Sequence, residues 1–255
     1  MIHRINIASS VLTSTLRGWR GTGGSTKQAS TNSESLILFD CEGSPECRIV
    51  REALTALNFD ITIVPCPIGG KNLASMQKES GFESVPVLYD AQTEAKRQGA
   101  DEIIQYLYQQ YRNGGAPPKA LQTWRNTLFS KLASVSRLNA GIYAKPARRA
   151  ALTLTLYSFE SSPYSRPVRE LLCELEIPYR LVNLGKQQWS DMGPAKARLT
   201  LKPYRPLKGS KREAFMEKYG DVQVPFIVDP NTGVQMFESK DILGYLKDTY
   251  WLEEV

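Results

Sequence analysis

The feature that most constrains this 255-residue chain is that it says one thing twice. Ser44-Pro45-Glu46-Cys47-Arg48 returns as Ser162-Pro163-Tyr164-Ser165-Arg166, an offset of 118 (162 less 44), and the apolar positions behind it keep step, Val50 with Val168 and Leu57 with Leu175. Ser84-Val85-Pro86 returns as Gln223-Val224-Pro225, and Glu102 to Leu107 as Asp241 to Leu246. The later offsets are larger because the second copy carries an insertion at about Lys186 to Lys218. A repeat this long means two copies of one domain rather than a solenoid.

Each copy reads as α/β. In the second, an apolar run from Leu152 to Tyr157 alternates with threonines as a buried strand does, and a serine-rich turn follows. Pro163 suits the first turn of a helix, where a backbone N–H is dispensable. Val168, Leu171, Leu172 and Leu175 then recur at i, i+3, i+4 and i+7, one apolar helix face. A strand that turns straight into a helix aims free N–H groups and partial positive charge at whatever sits above Ser162. That is a place for an anion, a thiolate included. The first copy follows the same order: strand Leu36 to Phe39, a polar turn, a helix through Leu57, strand Ile61 to Val64, a strand over Ser84 to Asp90 and a helix from Asp101 to Tyr111.

The remaining sequence divides into a leader (1–34), a linker (113–150) and the two domains (35–112 and 151–255). The leader has basic residues, many Ser and Thr and no acid before Glu34, a composition that fits either an organelle-targeting peptide or a mobile terminus with one helical stretch, Ile7 to Leu16, lying against the body. The linker opens with the breakers Asn113 to Pro118 and continues as an amphipathic helix with Leu121, Trp124, Leu128, Leu132 and Val135 on one side. No apolar run approaches the ~18 residues of a membrane span, so a soluble, cytoplasmic protein is the expectation, with organelle targeting through the leader as the alternative. The net charge of +6 permits anionic surfaces but does not call for nucleic acid. Four cysteines do not make a disulfide framework at this length, and a single histidine with no paired C-x-x-C gives no metal site.

With these residues in view, both copies resemble the thioredoxin-like N-terminal domain of glutathione transferases and glutaredoxins. The fold expected is therefore two tandem thioredoxin-like domains joined by a helical linker. Ser162-Pro163-Tyr164-Ser165-Arg166 with Val168-Arg169 is similar to the family's Ser-Pro-x-x-Arg-x-Val-Arg opening, Val224-Pro225 stands where the family has a cis-proline, and Glu238-Ser239 where it has a Glu/Gln-Ser pair. The resemblance covers about 36–112 and 151–250, and it implies glutathione as ligand or co-substrate. It gives Ser162 a hydrogen bond to the glutathione sulfur, with Tyr164 and Ser165 beside it. Val224 takes main-chain pairing with the cysteinyl residue, Glu238 the ligand's ammonium group, and Ser239 its γ-glutamyl carboxylate. Ser162 and Ser239 also read as ordinary helix caps.

The first copy departs further. It has Ser44-Pro45-Glu46-Cys47 where redox relatives have Cys-Pro-x-Cys, and Gly99-Ala100 in place of the Glu-Ser pair. Cys47, the one catalytic candidate there, is either a redox thiol or a buried structural cysteine. In conjugating transferases an all-helical domain follows this one; here a second thioredoxin-like copy follows instead, which speaks against a conventional conjugating transferase. The second copy's insertion carries a basic cluster from Lys196 to Arg212 around Tyr204 and Leu207, a solvated loop by default and otherwise a contact for an anionic partner. Two functions stand: a glutathione-binding protein in thiol-linked transfer or redox chemistry, or a non-catalytic tandem thioredoxin-fold interaction or scaffolding module.

Overall fold

A computed structural model describes residues 2–26, 35–112, 114–122, 130, 137, 139–200 and 203–252. The first copy comprises β1 (Leu36–Asp40), α2 (Pro45–Leu57), β2 (Ile61–Pro65), α3 (Lys71–Ser80), β3 (Val87–Asp90), β4 (Ala95–Gln98) and α4 (Ala100–Tyr111), preceded by α1 (Ile2–Leu16). After a short α5 (Lys119–Gln122), the second comprises β5 (Leu154–Ser158), α6 (Arg166–Glu174), β6 (Tyr179–Asn183), α7 (Lys211–Tyr219), β7 (Phe226–Asp229), β8 (Val234–Phe237) and α8 (Ser239–Tyr250). In both copies the first two strands are parallel and the rest antiparallel.

The two sheets are one. Strand order β4-β3-β1-β2-β6-β5-β7-β8 is a palindrome in which each strand faces its own counterpart across a pseudo-twofold axis. The join is the antiparallel pairing of β2 with β6, Ile61 opposite Leu181 and Ile63 opposite Tyr179. Each strand would otherwise be an open edge, and pairing the two satisfies both rows of backbone groups. Leu36, Leu54 and Ile61 of the first copy and Leu154, Leu172 and Leu181 of the second belong to a single continuous core.

Local chemistry explains the elements. Ser44 accepts the N–H of Cys47 at 3.4 Å and Pro45 begins α2, which ends at Asn58 in the left-handed region (φ 59°). In the second copy Asp229 ends β7 and accepts Tyr245 Oη at 2.6 Å and Tyr250 Oη at 2.5 Å, so strand and last helix are clamped together. Asp90, Tyr106 and Tyr111 repeat the clamp in the first copy. The hairpin strands β4 and β8 lie outside the sequence expectation, because Ala95-Lys96-Arg97-Gln98 has no apolar alternation to announce a strand.

Over residues 2–26 the leader packs against this body. Arg17 donates from Nε to Glu52 Oε1 at 2.8 Å with both side chains buried, and Gly24 N–H donates to Lys186 O at 2.9 Å. The linker does the same on the other side of the axis. Arg137 Nε donates to Glu170 Oε1 at 2.7 Å, and Ile68 N–H donates to Ile142 O at 2.7 Å. The match is also in sequence: Asn6, Ser10, Leu12, Ser14, Arg17 and Gly21 return as Asn126, Ser130, Leu132, Ser134, Arg137 and Gly141, an offset of 120 (137 less 17). The duplicated unit therefore starts in the leader, ahead of the thioredoxin-like domain. Of the expected linker face, Leu121 is buried in the core; Trp124, Leu128, Leu132 and Val135 lie outside the described residues. Among the described residues no helix is long and apolar enough to cross a membrane.

Candidate functional site

A cavity of about 510 Å³ opens at the second copy, where the turn after β5, the start of α8 and the residues before β7 converge. Ser162, Tyr164, Val224, Pro225, Glu238 and Ser239 all line it. A sequence distance of 62 residues (224 less 162) is closed by the sheet, because β7 pairs directly with β5 and delivers Val224-Pro225 beside the Ser162 turn.

Ser162 is 1% exposed, and its Oγ accepts two hydrogen bonds, from Ser165 N–H at 3.3 Å and from Ser165 Oγ at 2.9 Å. With its lone pairs engaged, the Ser162 hydroxyl hydrogen has no acceptor among the described residues and is available to a ligand. Ser165 is fully buried behind it and does not line the cavity, so its part is to orient Ser162. Tyr164 is 42% exposed at the rim.

Opposite, the Val224–Pro225 peptide is cis, as is its counterpart Val85–Pro86. Val224 precedes β7, and among the described residues its N–H and C=O take no part in the backbone hydrogen-bond pattern. Ser239 is the first residue of α8, and its N–H has no intrahelical acceptor by position. Glu238 caps that helix with φ 67°, and its Oε1 accepts Gln223 Nε2 at 2.8 Å. The cavity thus holds a hydroxyl donor, a free peptide edge, a helix N-terminus and one carboxylate. That set suits a zwitterionic peptide carrying a thiol.

The remaining walls come from segments that sequence reasoning left outside the site. From the leader come Trp19 and Thr22; Thr22 is fixed by donating to Trp19 O at 2.6 Å and by a short contact with Ser161 Oγ. From the insertion come Lys186, Met192, Arg198 and Arg212. The expected solvated basic loop is corrected at Arg198 and Arg212; Arg205 and Lys208 are exposed as expected, and Lys202 lies outside the described residues. Arg212 is 4% exposed, donates to Leu184 O at 2.8 Å and to Tyr204 Oη at 3.1 Å, and lies 3.6 Å from the buried Asp191. The Arg198 guanidinium stacks over the Tyr204 ring at 3.5 Å. Lys186 donates to Gly193 O at 2.8 Å, and burial, reinforced by Arg212, pushes its ammonium down to about 8. The signal for the leader lay in its offset-120 match to the linker. The structure narrows the insertion: Lys186 bridges the leader as Ile68 bridges the linker, and α7 with Arg212 is the counterpart of α3, so only the stretch between them, with Met192 and Arg198, has no first-copy equivalent.

The first copy holds its equivalents differently. Cys47 is fully buried, its Sγ accepts Cys41 N–H at 3.4 Å, and burial together with nearby Asp40 pushes its thiol well up. That is the surrounding of an inert thiol rather than of an activated one. Gly43 faces Ile142 of the linker, so close that a Cβ there would lie 2.3 Å from Ile142 Cγ1. The linker packs onto this copy's Ser44 turn where Thr22 borders an open cavity in the other.

The family model described as "Glutathione S-transferase, N-terminal domain" matches residues 38–117 and 156–254. No curated protein and no solved structure matches the chain. With most of its length inside the two matched segments and two thioredoxin-like sheets built from them, the chain belongs to the glutathione S-transferase N-terminal domain family and carries that domain twice.

Proposed function

We propose that the second copy binds glutathione and uses it in thiol-linked transfer or redox chemistry, while the first copy is structural. The observation that carries this reading is the convergence, in one cavity, of the free Ser162 hydroxyl, the Val224 peptide edge and the α8 N-terminus at Ser239. The ligand's cysteinyl main chain pairs with Val224, its γ-glutamyl carboxylate sits at Ser239 and its ammonium meets Glu238. Its sulfur then lies over Ser162, which donates to it and favours the thiolate. The thiolate is the nucleophile, and the chain supplies its position and its charge stabilisation. Family membership supports the ligand class.

The test is an amide-resolved titration with millimolar glutathione. Shifts at Val224 and Ser239 that weaken in Ser239→Ala, with the first copy's amides unmoved, are expected. A second arm reads the thiol: Ser162→Ala keeps binding but raises the pKa of bound glutathione, followed by ultraviolet thiolate absorbance. No shift near the second copy at saturating ligand would overturn the assignment and leave the non-catalytic module as the function.

A further inference from the structure

Three of the four cysteines, Cys41, Cys47 and Cys173, form one cluster where the copies meet. Cys41 follows β1 of the first copy, in the position that Phe159 holds in the second, and Phe159 lines the second copy's cavity. Cys173 comes from α6 of the second copy. Both thiols donate to the same acceptor, Gly141 O, each at 3.3 Å, and Cys173 Sγ accepts the N–H of Glu42, the residue next to Cys41, at 3.4 Å.

We propose that Cys41 and Cys173 are a peroxide-oxidisable pair that closes into a disulfide between the two copies. Of the cluster, Cys41 is the most exposed, at 6% against 0% for Cys47 and 2% for Cys173. Cys173 beside it is the main cause that lowers the Cys41 thiol pKa, while Cys41 and burial raise that of Cys173. This divides the roles. Cys41 loses its proton to solvent, and its thiolate attacks one peroxide oxygen as the O–O bond breaks. The sulfur becomes a sulfenic acid, and the other oxygen leaves as hydroxide or alkoxide and takes up a proton. Cys173 sulfur then attacks the Cys41 sulfur, the S–S bond forms, and the sulfenic oxygen leaves as water with the Cys173 proton. Two thiols and one peroxide give one disulfide, one water and one alcohol, or a second water where the peroxide is hydrogen peroxide. Cys47 is the competing partner, six residues from Cys41, but its sulfur faces the Cys41 backbone N–H at 3.4 Å, whereas Cys41 and Cys173 converge sulfur to sulfur on Gly141 O.

The test is peptide mapping of the intact folded chain after stoichiometric hydrogen peroxide, with free thiols alkylated before digestion. The expected result is a mass loss of two hydrogens, a Cys41–Cys173 linked peptide, alkylated Cys47 and Cys66, and full reversal by dithiothreitol. In Cys173→Ser, dimedone should trap a sulfenic acid at Cys41. A Cys41–Cys47 link, oxidation confined to Cys66, or irreversible sulfinic acid at Cys41 in the unmodified chain would each overturn the proposal, and none of these readouts depends on glutathione binding.

Discussion

Arg51 of the first copy donates from Nε to Glu160 Oε2 of the second at 3.0 Å, and Arg169 returns the contact from the second copy to Glu42 of the first at 2.9 Å. All four side chains are buried. This exchanged pairing, together with the β2–β6 seam, makes the two copies one cooperative unit. Removing one member of such a lattice strands the others in low dielectric, which costs about 3–5 kcal/mol. Arg51→Ala should therefore lower the unfolding free energy by roughly that amount, in a single denaturant transition monitored by both fluorescence and circular dichroism. Two separated transitions would show that the copies fold independently.

The lattice is not perfectly symmetric, and the difference has a pH signature. Asp40 receives Arg51 Nη1 at 2.6 Å, whereas its counterpart is Ser158, whose Oγ accepts Arg169 Nη1 at 3.1 Å. Burial pushes Asp40 up to about 6 against the pull of Arg51, and Glu42 and Glu160 add to the rise. Burial also acts to raise Glu160, but Arg169, Arg51, Arg166 and Arg48 outweigh it and hold it down at about 2. As pH falls from 6 towards 3.8, the folded chain takes up a proton at Asp40 that the unfolded chain does not, so this group's contribution rises. Glu160 contributes stability that is present above its ordinary 4.5 and lost as pH falls through 2. Unfolding measured at successive pH values should show Asp40→Asn losing the gain between 6 and 4 while keeping the loss at lower pH. Parallel profiles for variant and parent would count against this account of Asp40.

Arg17 and Arg137 hold corresponding segments in place, yet only the first segment lines the cavity. Arg17→Ala and Arg137→Ala should destabilise the chain comparably, because each leaves a buried glutamate, Glu52 or Glu170, without its partner. Only Arg17→Ala should also weaken glutathione in calorimetric titration, since it loosens the wall carrying Trp19 and Thr22. Equal loss of affinity in both variants would mean that lowered stability, not the wall, sets the effect.

How far this was legible in the residues depends on the kind of signal each segment carries. Val50, Leu57, Val168 and Leu175 announce amphipathic helices because burial on one face imposes a period, and Val224-Pro225 can be found because its first-copy twin, Val85-Pro86, stands at the same spacing from Gly81 and Asp90 as it does from Gly220 and Asp229. The seam could not be read, since Ile61 to Pro65 looks the same whether its open edge faces water or Tyr179 to Asn183. Arg48, Arg166 and Arg169 were legible as parts of a motif but not, with Arg51, as a buried lattice, because charge on a helix ordinarily marks a solvated face. Each is tolerated only through carboxylates or hydrogen-bond acceptors brought from distant parts of the chain. The cavity split along the same line: Ser162, Val224 and Ser239 belong to the repeated unit, whereas Met192 and Arg198 belong to an insertion without a second copy, and Lys186 stands where the first copy has the apolar Ile68.

Lys186, at the edge of that insertion and in the place of the first copy's Ile68, offers the sharpest reading of what sets the second copy's site apart. Its ammonium faces the cavity, over the Phe159 ring at 5.5 Å, with a carbonyl as its close hydrogen-bond partner. Burial and the neighbouring Arg212 push it down to about 8, with Asp191 opposing and Arg198 adding to the fall. A ligand carboxylate nearby favours the protonated form, so binding should take up a fraction of a proton near pH 8 and weaken as pH rises through that value. S-methylglutathione is the suitable probe, because it has no thiol to ionise. The ligand's own ammonium titrates identically with both proteins, so the difference between parent and Lys186→Met isolates the lysine. That difference should be largest below pH 8 and shrink above it, in calorimetric titrations repeated in two buffers of different ionisation enthalpy. A deficit in Lys186→Met that is constant across pH would show that the side chain acts through packing and that its charge is not used.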